Sequence, residues 1–109
     1  MTSVDLQPYS LVTVFPAVYD YKNCGTAAGT TTVQSFPGYL HAITMTQRAA
    51  SGKIIIYDSA GTSGTVIGTI TCGTQVFSDA NTWLFDVRTL NGLTIANDAN
   101  VGVTVSFGK

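Results

Sequence analysis

From residue 31 onward, apolar and polar positions alternate in short runs separated by turn residues, the period-two signature of half-buried strands. Residues 31–36 form one such run and stop at Pro37-Gly38, a turn dipeptide. Residues 39–46 place Tyr39, His41, Ile43 and Met45 on one face and Leu40, Ala42, Thr44 and Thr46 on the other. Residues 53–57 are a continuous apolar run (Lys53-Ile54-Ile55-Ile56-Tyr57), the pattern of a strand buried on both faces. Residues 65–71 return from the loop at 58–64, and the pair reads as a hairpin. Residues 82–88 follow, and Asn91-Gly92 marks a tight turn into residues 93–96. Residues 101–107 alternate without exception, so Val101, Val103, Val105 and Phe107 are predicted to face a core, with only Gly, Thr and Ser opposite. No stretch of ten residues supports a helix. Six or seven strands at a spacing of about ten residues indicate an all-β sandwich or barrel, whose strand order periodicity does not supply.

The first 30 residues read differently. Residues 9–15 alternate like a strand, but Pro8 and Pro16 bracket them, and proline confines a run to a sheet edge or an extended arm. Residues 17–21 are a second short extended segment, and residues 23–30 have the small-residue composition of a linker. The reading divides the chain into an N-terminal arm and linker (1–30) and a β-sandwich domain (31–109). Leu6, Tyr9, Leu11, Val14, Phe15, Val18, Tyr19 and Tyr21 make the arm too apolar for a free tail. They are expected to pack on a partner, or to supply the first strand of the sandwich itself.

Composition sharpens this. The chain has 109 residues, enough for one domain. It holds 17 Thr, no Glu, and only 10% charged residues, against roughly 25% in an ordinary soluble domain. The strong helix formers are too scarce for a bundle or a doubly wound α/β enzyme. A net charge of −1 lacks the basic footprint of a nucleic-acid binder, and no apolar run is long enough for a membrane span. The N-terminus has neither the basic nor the apolar region of a secretory signal, so folding in a cytoplasm is expected, with Cys24 and Cys72 reduced. A surface this poor in charge tends towards association.

The residues offer little for catalysis. His41, the only histidine, sits in mid-strand and is expected to be packed and hydrogen-bonded. The six acids are all Asp, most of them in or beside turns, where carboxylates accept backbone amide hydrogens. Residues 58–61 and 78–81 lack the alternating acidic ligands and closing Glu of a calcium loop. The glycines of residues 61–68 match neither a phosphate loop nor a nucleophile elbow. Trp83 and the five tyrosines could form a sugar-stacking platform, but Trp83 alternates with Phe85 and Val87, which places it in the core. No catalytic residue, cofactor or metal site is expected.

From Val33 to Phe107 the chain resembles a recurrent small domain of tailed-phage virion proteins. The resemblance lies in the order of Gly38-Tyr39-Leu40-His41-Ala42-Ile43, Ile56-Tyr57-Asp58, the Ser/Gly-rich loop at 59–64 and the returning Gly68-Thr69-Ile70. Phe85-Asp86-Val87, Gly92-Leu93-Thr94-Ile95 and the terminal Val103-Thr104-Val105-Ser106 extend it. Proteins of this kind are head decoration (cement) proteins, head fibres or related surface components. They are jelly-roll-like β-sandwiches, often trimeric. The resemblance implies a structural virion protein, made in the host cytoplasm, that binds the major capsid protein on the outside of a phage head as a homotrimer. The alternative it leaves open is a carbohydrate- or receptor-binding module of a fibre or spike. Residues 1–30 lie outside the resemblance, and residues 72–82 match it poorly.

Overall fold

The computed structural model describes residues 19–72 and 81–109. They form eight strands: β1 (Asp20–Gly25), β2 (Gly29–Gln34), β3 (Gly38–Gln47), β4 (Lys53–Asp58), β5 (Thr65–Thr71), β6 (Asn81–Thr89), β7 (Leu93–Asn97) and β8 (Gly102–Gly108). One sheet has the order β1-β8-β3-β6 and the other β2-β7-β4-β5, with every neighbouring pair antiparallel. First pairs with last throughout: β1 with β8, β2 with β7, β3 with β6 and β4 with β5. The chain is one long antiparallel ribbon rolled up, with successive rungs sent to opposite sheets. The β3–β8 and β4–β7 pairs then close each sheet. This is the strand order of an eight-stranded jelly roll.

The core lies between the sheets. Leu40, Ile43 and Met45 of β3 meet Ile54 and Ile56 of β4, Leu93 and Ile95 of β7, and Val101, Val103, Val105 and Phe107. All four residues of the last alternating run are buried, as their spacing predicts. Trp83, Phe85 and Val87 pack against the same cluster from β6. The run at residues 53–57 is covered less fully than expected: Ile54 and Ile56 are buried, whereas Ile55 and Tyr57 are half-buried on the outer face. The reason is that, among the described residues, no layer covers the outer face of this four-stranded sheet.

Two sequence expectations are corrected. The linker assigned to residues 23–30 is two strands joined by a short turn. Asp20 to Asn23 pair with Phe107 to Thr104, and Gly29 to Thr32 pair with Asn97 to Thr94. Gly25 ends β1 at φ 77°, a conformation glycine enters without steric cost, and its amide donates to Asn23 Oδ1 at 2.8 Å. β1 is an edge strand whose side chains are nearly all exposed. It is held by backbone bonds to β8, so its residues carry no hydrophobic pattern. Among the described residues, the sandwich's first strand therefore starts at Asp20 rather than at residue 31. Residues 1–18 of the arm, including Leu6, Tyr9, Leu11, Val14, Phe15 and Val18, lie outside the described residues.

The second correction concerns faces. Leu40 lies opposite Val87 and Ala42 opposite Leu84, so β6 places two residues, Phe85 and Asp86, against His41 alone. On its other side, His41 is the extra residue against β8, where Leu40 and Ala42 face the adjacent Phe107 and Ser106. A β-bulge of this kind shifts the alternation by one. Leu40, Ile43 and Met45 consequently point inward, while Tyr39, His41, Ala42 and Thr44 share the outer face.

Candidate functional site

The register across the β1-β8-β3-β6 sheet sets its outer face residue by residue. Tyr39 sits between Gly108 and Arg88. The bulge level follows, with His41 and Asp86. Next comes the row Tyr21, Ser106, Ala42, Leu84, and then Asn23, Thr104, Thr44, Thr82. The last row is polar, and the Thr44 and Thr82 hydroxyls are 2.9 Å apart. The first three rows carry large exposed side chains: Tyr21 is 77% exposed, Leu84 70%, Tyr39 48% and Tyr19 39%. Isolated surface apolar residues need no explanation, but several on one face mark a candidate contact surface, and Tyr is enriched where proteins meet ligands.

At the bulge the geometry becomes specific. His41 Nδ1 lies 2.5 Å from Asp86 Oδ1. A carboxylate only accepts, so the imidazole proton sits on Nδ1, which leaves Nε2 as an acceptor in the neutral ring. The Tyr19 ring stacks on His41 with centroids 4.0 Å apart and planes 6° from parallel. Gly108 lies beneath the two tyrosines, where a Cβ would make only ordinary contacts, 3.7 Å from the Tyr19 ring and 3.8 Å from Tyr39 Cβ. Asp86 itself has φ 48°, a left-handed conformation costing a non-glycine residue on the order of 1–3 kcal/mol, though Asp and Asn tolerate it best. The strain is concentrated where a carboxylate is turned towards an aromatic pair. Together Tyr19, Tyr39, His41 and Asp86 line a concavity of about 370 Å³.

Other carboxylates serve the fold. Asp58 accepts the amides of Leu90 and Asn91 at 2.8–3.0 Å and fastens the β6–β7 turn to β4. Asp98 accepts the Lys53 amide at 3.0 Å. Asp20 lies 3.8 Å from the Lys109 ammonium in an exposed pair. Asp58 and Asp98 thus accept backbone amides as expected, though from donors distant in the sequence, and Asp20 does not. Cys24 and Cys72 are free thiols. The Cys72 thiol donates to Met45 Sδ at 3.4 Å in the core, and burial pushes the Cys24 thiol above its ordinary value, partly offset by a Thr31 hydrogen bond and the Lys22 charge. Among the described residues, no three His, Cys, Asp or Glu side chains converge as a metal site would need, and no helix is long and apolar enough to cross a membrane.

Of the arm residues singled out in the sequence, the structure places two. Tyr19 packs over His41, and Tyr21 stands exposed on the edge strand. Trp83 lies against the core, as its alternation implies. Tyr39 and Asp86 belong to the site without having been singled out. The signal in the sequence is Asp86 itself, a charge between Phe85 and Val87. Its partnership with His41, 45 residues away, depends on pairing register alone. No family model, curated protein or solved structure matches the chain.

Proposed function

We propose that this protein is a structural virion component, a decoration (cement) protein that binds the major capsid protein on the outer surface of a tailed-phage head. The observation that carries this reading is that the eight-strand jelly roll runs from Asp20 to Gly108. The apolar residues of the N-terminal arm from Leu6 to Val18 precede that layout in the sequence. The resemblance of Val33–Phe107 to virion surface domains and the charge-poor, Thr-rich composition support the same reading.

The magnitudes favour one mode of attachment. Ordering residues 9–15 costs on the order of 7–14 kcal/mol in backbone entropy. Burying Tyr9, Leu11 and Phe15 returns about 5–9 kcal/mol. Backbone hydrogen bonds to a partner's sheet edge, at about 1 kcal/mol each, close the difference. The arm therefore binds as an added strand, with backbone bonds supplying affinity and alternate side chains supplying specificity. Fully extended, 18 residues reach up to about 60 Å, enough to cross onto a neighbouring subunit. A ligand that binds only the assembled lattice stabilises it by mass action, without chemistry.

Deleting residues 1–18 tests this directly. The truncated chain should fold, keep its β-sheet circular dichroism, and no longer sediment with undecorated capsids. The cut belongs at 18, because removing residues 1–21 would also take Asp20 and Tyr21 from their pairing with β8. Capsid binding that survives the deletion would move the attachment surface onto the sandwich. Gel densitometry of purified particles should give a copy number that scales with capsid subunits; a handful of copies would place the protein at a fibre or spike instead.

A further inference from the structure

We infer that the concavity between Tyr19, Tyr39, His41 and Asp86 is a saccharide-binding site. It does not rest on capsid attachment and would operate equally on a particle surface or on the free protein. At about 370 Å³ the concavity falls within the range of small-ligand sites. It is built largely on strands, with Tyr39 and His41 on β3 and Asp86 on β6. Tyr19 is held flat against His41, so the aromatic surface is ordered before a ligand arrives, which reduces the cost of binding.

The chemistry selects the ligand class. Asp86 is 60% exposed and engages His41 through one oxygen, and a carboxylate has further acceptor positions to offer. With Nδ1–H towards Asp86, the neutral His41 ring offers Nε2 as a further acceptor, and the two phenol oxygens can accept or donate. The site is therefore rich in acceptors beside flat apolar surface. An anionic group would be repelled by Asp86. An alkyl chain would cover these acceptors while bringing no donors; a quaternary ammonium would meet the Asp86 charge and the ring faces but leave the imidazole and phenol acceptors without a donor. A pyranose ring meets both requirements, because its C–H face lies against an aromatic ring while hydroxyls around its rim donate to carboxylate and imidazole. Tyr39 also lines a smaller concavity of about 140 Å³ with Arg88 and Lys109. A second residue of an oligosaccharide would pass Tyr39 towards these two cations, so a carboxylated sugar fits there.

The test uses the purified full chain against a panel of neutral and carboxylated di- and trisaccharides, followed by NMR titration with the strongest binder. Saturable binding is expected, with amide shifts centred on Tyr39, His41 and Asp86. Tyr39→Ala and Asp86→Asn should each weaken it at least tenfold, while Leu84→Ala, on the same face but outside the concavity, should leave it unchanged. Asparagine tolerates the backbone conformation at position 86, so Asp86→Asn decides the matter even if Tyr39→Ala fails to fold. The assignment is overturned if no panel member binds, if binding survives both substitutions, or if tetramethylammonium binds these residues in place of sugar.

Discussion

At the scale of single residues, position 86 combines a cost and a contact that substitution can separate. Its φ of 48° strains any side chain, most of all a β-branched one. Asp86→Val should destabilise the protein by roughly 2 kcal/mol, from backbone strain and loss of the His41 contact. Asp86→Gly relieves the strain while losing the contact, and should stay within about 1 kcal/mol of the parent. Urea midpoints check the ordering; a glycine variant as unstable as the valine variant would show that the conformation carries no strain. Cys24 offers a second residue-scale expectation. Burial holds its thiol above the ordinary value of 9.0, so the folded state keeps this proton after the unfolded chain has released it. The unfolded state then binds fewer protons, and stability falls as pH rises above 9.0. Cys24→Ala should lose stability less steeply across that interval, and identical slopes for the two proteins would refute the attribution.

At the scale of elements, β8 is the hinge of the architecture, since it pairs with both β1 and β3 and lines the core with Val103, Val105 and Phe107. Its strict alternation makes its register the most legible feature of the sequence. Val103→Asp places an unpaired carboxylate among Met45 and the other fully buried side chains, costing several kcal/mol against a total stability of about 5–15 kcal/mol. Soluble expression should collapse, and a folded variant would mean that the strand is turned over. β3 teaches the opposite lesson. Its residues alternate as cleanly on paper, yet one bulge at His41 transfers Ile43 and Met45 to the core face and leaves Tyr39 and His41 outside. A bulge is a property of a pair of strands, so a single strand's pattern does not announce it.

At the scale of the whole molecule, the charge-poor surface bears on assembly. With five basic and six acidic residues, little like-charge repulsion keeps copies apart. Self-association is the expected outcome, and light scattering at micromolar concentration checks whether it yields the homotrimer of the proposed reading. A clean monomer would count against the trimer.

The all-β class, the positions of β3 to β8 and the burial of Val101, Val103, Val105 and Phe107 were legible in the sequence, because a side chain's preference for a core acts within its own strand. That Asp58 and Asp98 would accept backbone amides was legible too, but their donors, Leu90, Asn91 and Lys53, lie 32–45 positions away and were set by strand pairing. The tertiary structure alone decided what depends on two strands at once. The edge strand β1 forms through backbone bonds to β8 and leaves no hydrophobic trace. The rolled-ribbon order arises from pairings between residues as much as 87 positions apart, such as Asp20 with Phe107. The meeting of Tyr19, Tyr39, His41 and Asp86 comes from the same source: strand pairing and a bulge place on one outer face four residues that the chain keeps apart.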